Sequence, residues 1–443
     1  MKIFVSNRDI IRLAAPVSLS LLIPQLSFLA NNIFLGRVGE RELGVSGVAG
    51  IYYLMLVMVG SGLASGIQIQ MARRAGEGDR SGIARVFTNG MLLAAFLSLS
   101  LMMLSLWLAP ILFGMNMYDE ENILYSVSFL YIRVWGLPFI MLTQLSNSFY
   151  IATGQSRLVI WQSVSAAAVN ILFDYLLIFG KGGLPAMGLD GAATASVMGE
   201  IVGCLVAYSV FYFRKIWQEY PLRQHLRFDS ELSKRSLRIA APLIVQFFFS
   251  IGGWEVFFLY IEHLGTRELA ASQILRSIFG IVGISTWAFA VASSTMVSNV
   301  IGQGREQSVL PLVWKIAKLS LTVTATICLL LLLFPYGFLS LYRDDPELVA
   351  FAIPSLRVIV LATLIMSVST VVFNAVVGTG RTLVNLTIEI GCVLTYLLYC
   401  YIIIERLRSP LHIAWGSEFV YWTSLLVVSF LYLRSGRWKG KRI

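Results

Sequence analysis

Charge is scarce in this sequence. Only 13% of its 443 residues are Asp, Glu, Lys or Arg, and 57% are hydrophobic; a soluble domain carries about 25% charged residues. Mean hydropathy is +0.76. A water-soluble fold of this length has nowhere to put so much apolar surface, so lipid is the solvent for most of the chain. Histidine is nearly missing: His225, His263 and His412 stand far apart, without metal-ligand spacing. The four cysteines, Cys204, Cys328, Cys392 and Cys400, all fall inside apolar runs, which excludes a disulfide framework. No phosphate-cradling glycine loop and no nucleophile elbow occurs, and no His, Cys or Ser stands in a catalytic set. Neither an enzyme nor a cofactor protein is expected.

What the sequence has in abundance is apolar runs of about 20 residues, the length that crosses a hydrocarbon core of about 30 Å. Twelve are expected, at 10–35, 44–70, 86–112, 124–150, 158–180, 189–213, 239–261, 270–298, 311–340, 348–376, 383–405 and 411–433. Barrel strands would alternate over about 10 residues instead of running continuously. The fold class is therefore an all-α integral membrane protein. The first run is no cleavable signal, because Pro16, Pro24, Asn31 and Asn32 interrupt its apolar core.

The net charge of +10 invites a nucleic-acid reading. Its distribution rejects that: 22 Lys and Arg fall in segments on one side of the twelve spans and 7 on the other. The richer side holds Lys2, Arg73–Arg85, Arg214–Arg238 and the tail from Arg434 to Arg442; the poorer side holds Lys181 and Arg343. By the positive-inside rule both termini are cytoplasmic. A multi-pass protein of the plasma (inner) membrane is expected, with lipid as partner and no nucleic acid.

The chain also repeats itself. "RLAAP" at Arg12–Pro16 returns as "RIAAP" at Arg238–Pro242, 226 residues on. The same offset pairs "GERELGVS" from Gly39 with "GTRELAAS" from Gly265, "GEG" from Gly76 with "GQG" from Gly302, and Gly154 with Gly380. Six spans per half make the halves parallel repeats about an axis along the membrane normal, a transporter plan with its site between halves. The expected division is 1–213 (helices 1–6), a basic cytoplasmic linker 214–237, and 238–443 (helices 7–12 and tail). The stretch "FDSELSKRSLRIAAP" reads as amphipathic and interfacial.

Against this apolar background, "VNILFDYLLIFG" (Val169–Gly180) carries Asp174, with Asn170 one turn earlier on the same face. An aspartate at a helix centre costs about 2.5–3.5 kcal/mol on insertion scales and normally faces a bundle interior or cavity. Either it makes a structural hydrogen bond between helices or it serves transport, and the small residues Ala166, Ala167 and Ala168 beside it permit close packing.

Several stretches resemble the multidrug and toxic-compound extrusion (MATE) transporters. They are "AAPVSLSLLIPQLSFLANNIFLGRVG", "GEGD" and "GQGR" after the second and eighth spans, "NILFDYLLIFG" followed by "GLDGAATAS", and "LAASQI" after Gly265. The resemblance implies two six-helix lobes and export of amphipathic, often cationic small molecules in exchange for Na⁺ or H⁺ by alternating access. It implies that Asn170, Asp174 and a hydroxyl after "GAA" (Ser196 or Thr194) hold the coupling cation, Na⁺ among the possibilities. Two departures stand out. Where the family commonly has an aspartate before "FLG", this chain has Asn31, and where members with a second site carry a glutamate after the span-seven proline, it has Ser250.

Glu255 either pairs with an arginine such as Arg276 or forms a second coupling or substrate site with Trp254, Trp287 and Tyr52. Tyr53 is another aromatic that could line a cation cavity, although such residues more often pack or form interfacial belts. Arg133 and Arg357 read as structural or helix-end residues more than substrate ligands, and Glu200, Glu389 and Glu418 as paired within a half or bordering the interface. Pro16 and Pro24 are candidate hinges of helix 1. A monomer is expected. The competing reading is a lipid-linked oligosaccharide flippase of the same broad superfamily, which would favour more spans or a cationic cavity.

Overall fold

A backbone in lipid must satisfy its own N–H and C=O groups, and a helix does so within one segment. In the computed structural model, which describes residues 6–116, 119–340 and 345–440, twelve helices are long and apolar enough to cross a membrane. They are α1 (Asn7–Val38), α2 (Glu40–Glu77), α3 (Arg80–Met115), α4 (Glu120–Ala152), α5 (Leu158–Phe179) and α6 (Gly188–Phe213). Then come α7 (Ser230–Glu262), α8 (Thr266–Gly302), α9 (Glu306–Leu333), α10 (Pro346–Gly378), α11 (Thr382–Arg406) and α12 (Leu411–Ser435). Each overlaps one expected span, and most extend beyond it at both ends. Lys2, Arg343, Lys441 and Arg442, used in the charge count, lie outside the described residues.

The chain divides into two compact units. Unit 1 runs from Leu19 to Ile244, and unit 2 takes residues 6–18 with the chain from Val245 onward. Both changes of unit fall two residues after a proline, Pro16 in α1 and Pro242 in α7, so the opening turns of each helix belong to the unit that does not hold its remainder. The last part of the basic stretch before residue 238 is itself helical. From Ser230 it is already α7. Ser236 bonds Gln70 of α2 at 3.2 Å, and Ser233 bonds Asn89 of α3 at 3.1 Å, all four side chains being buried. Asp229 caps this helix, accepting from the Leu232 amide at 3.0 Å while Arg85 reaches its other oxygen at 3.1 Å.

Two local features shape the interior of unit 1. The first is the α5–α6 pair, the most extensive helix contact among the described residues. Along α6 the small residues Gly191, Ala195, Gly199 and Gly203 recur every four positions, a stripe that lets two backbones approach. A Cβ on Gly199 would stand 2.8 Å from the Ala166 carbonyl oxygen and 3.0 Å from Asn170 Cβ, and one on Gly191 would stand 2.8 Å from the Leu177 backbone. The second is in α4, which passes through a 3₁₀ turn at Val134–Gly136 just before Pro138. Mid-helix 3₁₀ often marks a functional or strained place.

Candidate functional site

Asp174 is 0% exposed. Its Oδ1 accepts from Asn31 Nδ2 of α1 at 3.2 Å, while Oδ2 is buried without a hydrogen-bond partner. One turn back, Asn170 Nδ2 donates to Ser196 Oγ of α6 at 3.3 Å. Asn31, Asn170, Asp174 and Ser196 thus come together in unit 1 from α1, α5 and α6. Thr194, the other hydroxyl considered, turns back on its own helix and donates to the Asp190 carbonyl at 2.8 Å. The amide at position 31 makes chemical sense here. It offers a donor to one carboxylate oxygen where an aspartate would bring a second negative charge.

Beside this site lies an ion pair that sequence reasoning took only as structural. Arg133 of α4 reaches Glu200 of α6 at 2.9 Å, with side chains 13% and 12% exposed. The hydroxyl of buried Tyr53 donates to the other Glu200 oxygen at 2.9 Å, and the guanidinium stacks 3.9 Å from the Tyr53 ring centre. Gly136, at the end of the 3₁₀ turn, leaves the room for Glu200: a Cβ there would fall 1.7 Å from its Oε2. The signal was present in the sequence as an arginine and a glutamate inside apolar spans, but a separation of 67 residues hid the pairing.

The remaining candidates divide between the two units. Glu255 pairs with Arg276 at 2.7 Å in unit 2, and that guanidinium also lies 5.0 Å from the Trp254 ring. Trp254 packs on Phe279, ring centres 5.8 Å apart. Trp287 is 42% exposed, and Tyr52, in unit 1, packs on Phe113. Pro16 and Pro24 lie in a continuous helical stretch, on either side of the change of unit in α1. Among the described residues no group of three or more His, Cys, Asp or Glu could hold a metal ion.

Twelve apolar helices in two compact units, with intramembrane acids packed among amides and hydroxyls, define a polytopic transporter architecture. The family model MatE matches twice, over residues 16–176 and 242–402, stretches separated by the same 226-residue offset seen in the sequence. The chain belongs to this family, the MATE transporters. It is 23% identical over 99% of its length to a probable multidrug resistance protein NorM of Thermotoga maritima, covering 94% of that relative. It is 26% identical to a protein of the same name from Synechocystis sp., over 76% of this chain and 74% of that one. Among solved structures, an outward-facing multidrug resistance MATE transporter superposes with a TM-score of 0.89 at 19% identity, over 98% of this chain and 96% of that one. A MOP superfamily transporter from Pyrococcus furiosus, described as having a binding pocket of reverse polarity, gives 0.86 at 19% identity over 96% and 95%.

Proposed function

We propose that this chain is an antiporter that exports amphipathic or cationic small molecules in exchange for Na⁺ or H⁺, and that Asp174 is the group that exchanges the cation. The observation carrying this is the orphaned Asp174 Oδ2. A buried acceptor on an acid is costly unless something binds it, and a purely structural aspartate would have spent both oxygens on donors. Asn170, Ser196 and Asn31 supply the neutral surroundings, a single negative charge that balances one monovalent cation. Thr194 serves the helix backbone in this reading. The names of the curated relatives support multidrug export as the transported class.

The doubled family match and the repeated proline-linked change of unit support two pseudo-equivalent lobes, of helices 1–6 and helices 7–12, rocking in alternating access. Pro16 and Pro24 then serve as hinges in α1. The asymmetry of basic residues supports cytoplasmic termini in the plasma (inner) membrane, and the chain acts as a monomer.

The experiment is dye efflux in inverted vesicles with Na⁺ and pH gradients imposed separately. Asp174→Asn keeps a folded, substrate-binding protein and loses gradient-driven export under the gradient that drives the wild type. Wild-type export by Asp174→Asn under either gradient would show that coupling lies elsewhere.

A further inference from the structure

The basic end of unit 1 carries a groove that the Asp174 site does not use. It lies between α3 and the opening of α7 and encloses about 460 Å³, within the range of small-molecule sites. Leu93, Phe96 and Leu97 of α3 line it together with Leu237 of α7, and Lys234 stands in the same lining. Phe96 is 68% exposed, so the groove opens on the surface of the unit.

Its depth follows from the charges along its two helices. α3 carries Arg80 and Arg85 and then no charged residue through Met115; α7 carries Glu231, Lys234, Arg235 and Arg238 and then none until Glu255. The Asn89–Ser233 bond, at 3.1 Å, brings these two boundaries level. The groove therefore starts where the hydrocarbon starts and runs inward along α3 from Leu92 to Leu97.

Charge at the mouth is unbalanced. From Arg214 to Arg238 the chain has seven basic residues and three acids. Two of those acids are taken by α3: Glu219 pairs with Arg80 at 3.3 Å and Asp229 with Arg85 at 3.1 Å. Among the described residues Glu231, Lys234, Arg235 and Arg238 are exposed and make no ion pair. An apolar trough that ends in an uncompensated ammonium matches a molecule with a long apolar chain and an anionic head. The combination recurs at the same end of the unit, where a second groove, of about 290 Å³, is lined by Trp161 of α5 and Val210 of α6 and reaches exposed Arg214.

We propose that the α3–α7 groove seats an anionic phospholipid, with one acyl chain along Leu93, Phe96 and Leu97 and the phosphate on Lys234. The seat does not depend on Asp174 being the coupling group.

Native mass spectrometry of the purified full-length protein tests it, by titration with phosphatidylglycerol or phosphatidylcholine of identical acyl chains. The parent is Arg214→Gln, in which the second groove has lost its cation, and it should bind phosphatidylglycerol more tightly than phosphatidylcholine. Adding Lys234→Gln should weaken phosphatidylglycerol binding roughly fivefold, the effect of one basic residue beside anionic lipid, and leave phosphatidylcholine unchanged. Lys234→Arg should keep the preference, and so should Arg235→Gln, which removes an exposed charge outside the groove lining. Leu92→Trp fills the groove, keeps every charge and should weaken both lipids. Equal affinity for the two lipids in the parent, a preference that survives Lys234→Gln, or unchanged affinities in Leu92→Trp overturns the proposal. So do equal losses in Lys234→Gln and Arg235→Gln, the mark of diffuse surface charge.

Discussion

Replacing Gly199 by alanine adds a single methyl group, yet it strikes the α5–α6 contact at its tightest place. The new Cβ would stand 2.8 Å from the Ala166 carbonyl oxygen and 3.0 Å from Asn170 Cβ. An ordinary contact begins at 3.4 Å, so the helices must part locally by about 0.6 Å. The obstacle is backbone, which cannot swing aside as a side-chain end does, and overpacking of this kind costs about 1–3 kcal/mol. Alanine returns roughly 0.5–1 kcal/mol of helix preference over glycine, leaving a net loss of up to about 2.5 kcal/mol. The same displacement acts on the Asn170–Ser196 bond, already long at 3.3 Å, and breaks it. We therefore expect Gly199→Ala to lower the thermal midpoint followed by tryptophan fluorescence. Coupled efflux should fall by more than the loss of folded protein explains, although no site side chain has changed. A Gly199→Ala protein with wild-type melting and wild-type coupling would refute the close-approach account of the site.

Other consequences are open to equally direct measurement. Arg133→Leu leaves Glu200 buried and unpaired and should cost about 3–5 kcal/mol, with Arg133→Leu/Glu200→Leu recovering most of it in the same unfolding assay. Asn31→Asp places a second acid where Asn31 now bonds Asp174 at 3.2 Å; two carboxylates so close share a proton, so the pH midpoint of coupled efflux should rise, and an unmoved midpoint would count against the pairing. At the start of α7, the Leu232 amide, and after it Arg85, hold the Asp229 carboxyl below its ordinary value despite some desolvation. A lowered folded-state value contributes stability above the unfolded value of about 3.9, and that stability is lost as pH falls through the folded one. Asp229→Asn keeps a capping acceptor and loses only the exposed charge, so it should destabilise by a few tenths of a kcal/mol at pH 7, and the gap to wild type should close as the pH drops below about 4.

The twelve helices were legible because a membrane leaves so few solutions: an apolar run of the right length must be a helix, whatever it packs against. Helix ends were less so. The opening of α7 reads as an amphipathic, interfacial stretch of a basic linker, since Ser233, Lys234, Arg235 and Ser236 carry no hydropathy signal for a span. It is helical because Ser233 and Ser236 bond Asn89 and Gln70 within the fold, and only tertiary partners can announce that. Asp174 and Asn170 were found from local spacing alone, since an i,i+4 pair shares a face by helix geometry. Thr194 and Ser196 could not be separated in the same way. Two positions apart on one helix they point about 200° from each other, and which one meets Asn170 depends on how α6 is rotated against α5. That rotation is set by the glycine stripe, whose role is visible only once the two backbones touch.

The two buried acids obey one rule with different outcomes for sequence reading. Asp174 stands out because its apolar neighbourhood is otherwise plain, and its partner Asn31 lies on the first helix, 143 residues away. Glu389 is just as buried, but it reads as one of several intramembrane glutamates destined for pairing. Glu200 does pair, with Arg133, and Glu255 does pair, with Arg276. Glu418 receives the Trp422 indole N–H at 2.8 Å. What separates Glu389 from Glu200 and Glu255 is that no cation of the protein reaches it, while an adjacent amide oxygen is orphaned along with it. A charge neutralised inside the fold is a fixture, since removing either partner is costly. A charge with nothing to neutralise it must take its counter-ion from outside, and a group that takes a counter-ion can also release one. By that criterion, joined to an orphaned buried oxygen that Glu418 does not have, the coupling candidates among the described residues are Asp174 and Glu389, one in each compact unit, and the Arg133–Glu200 and Arg276–Glu255 pairs are scaffolding.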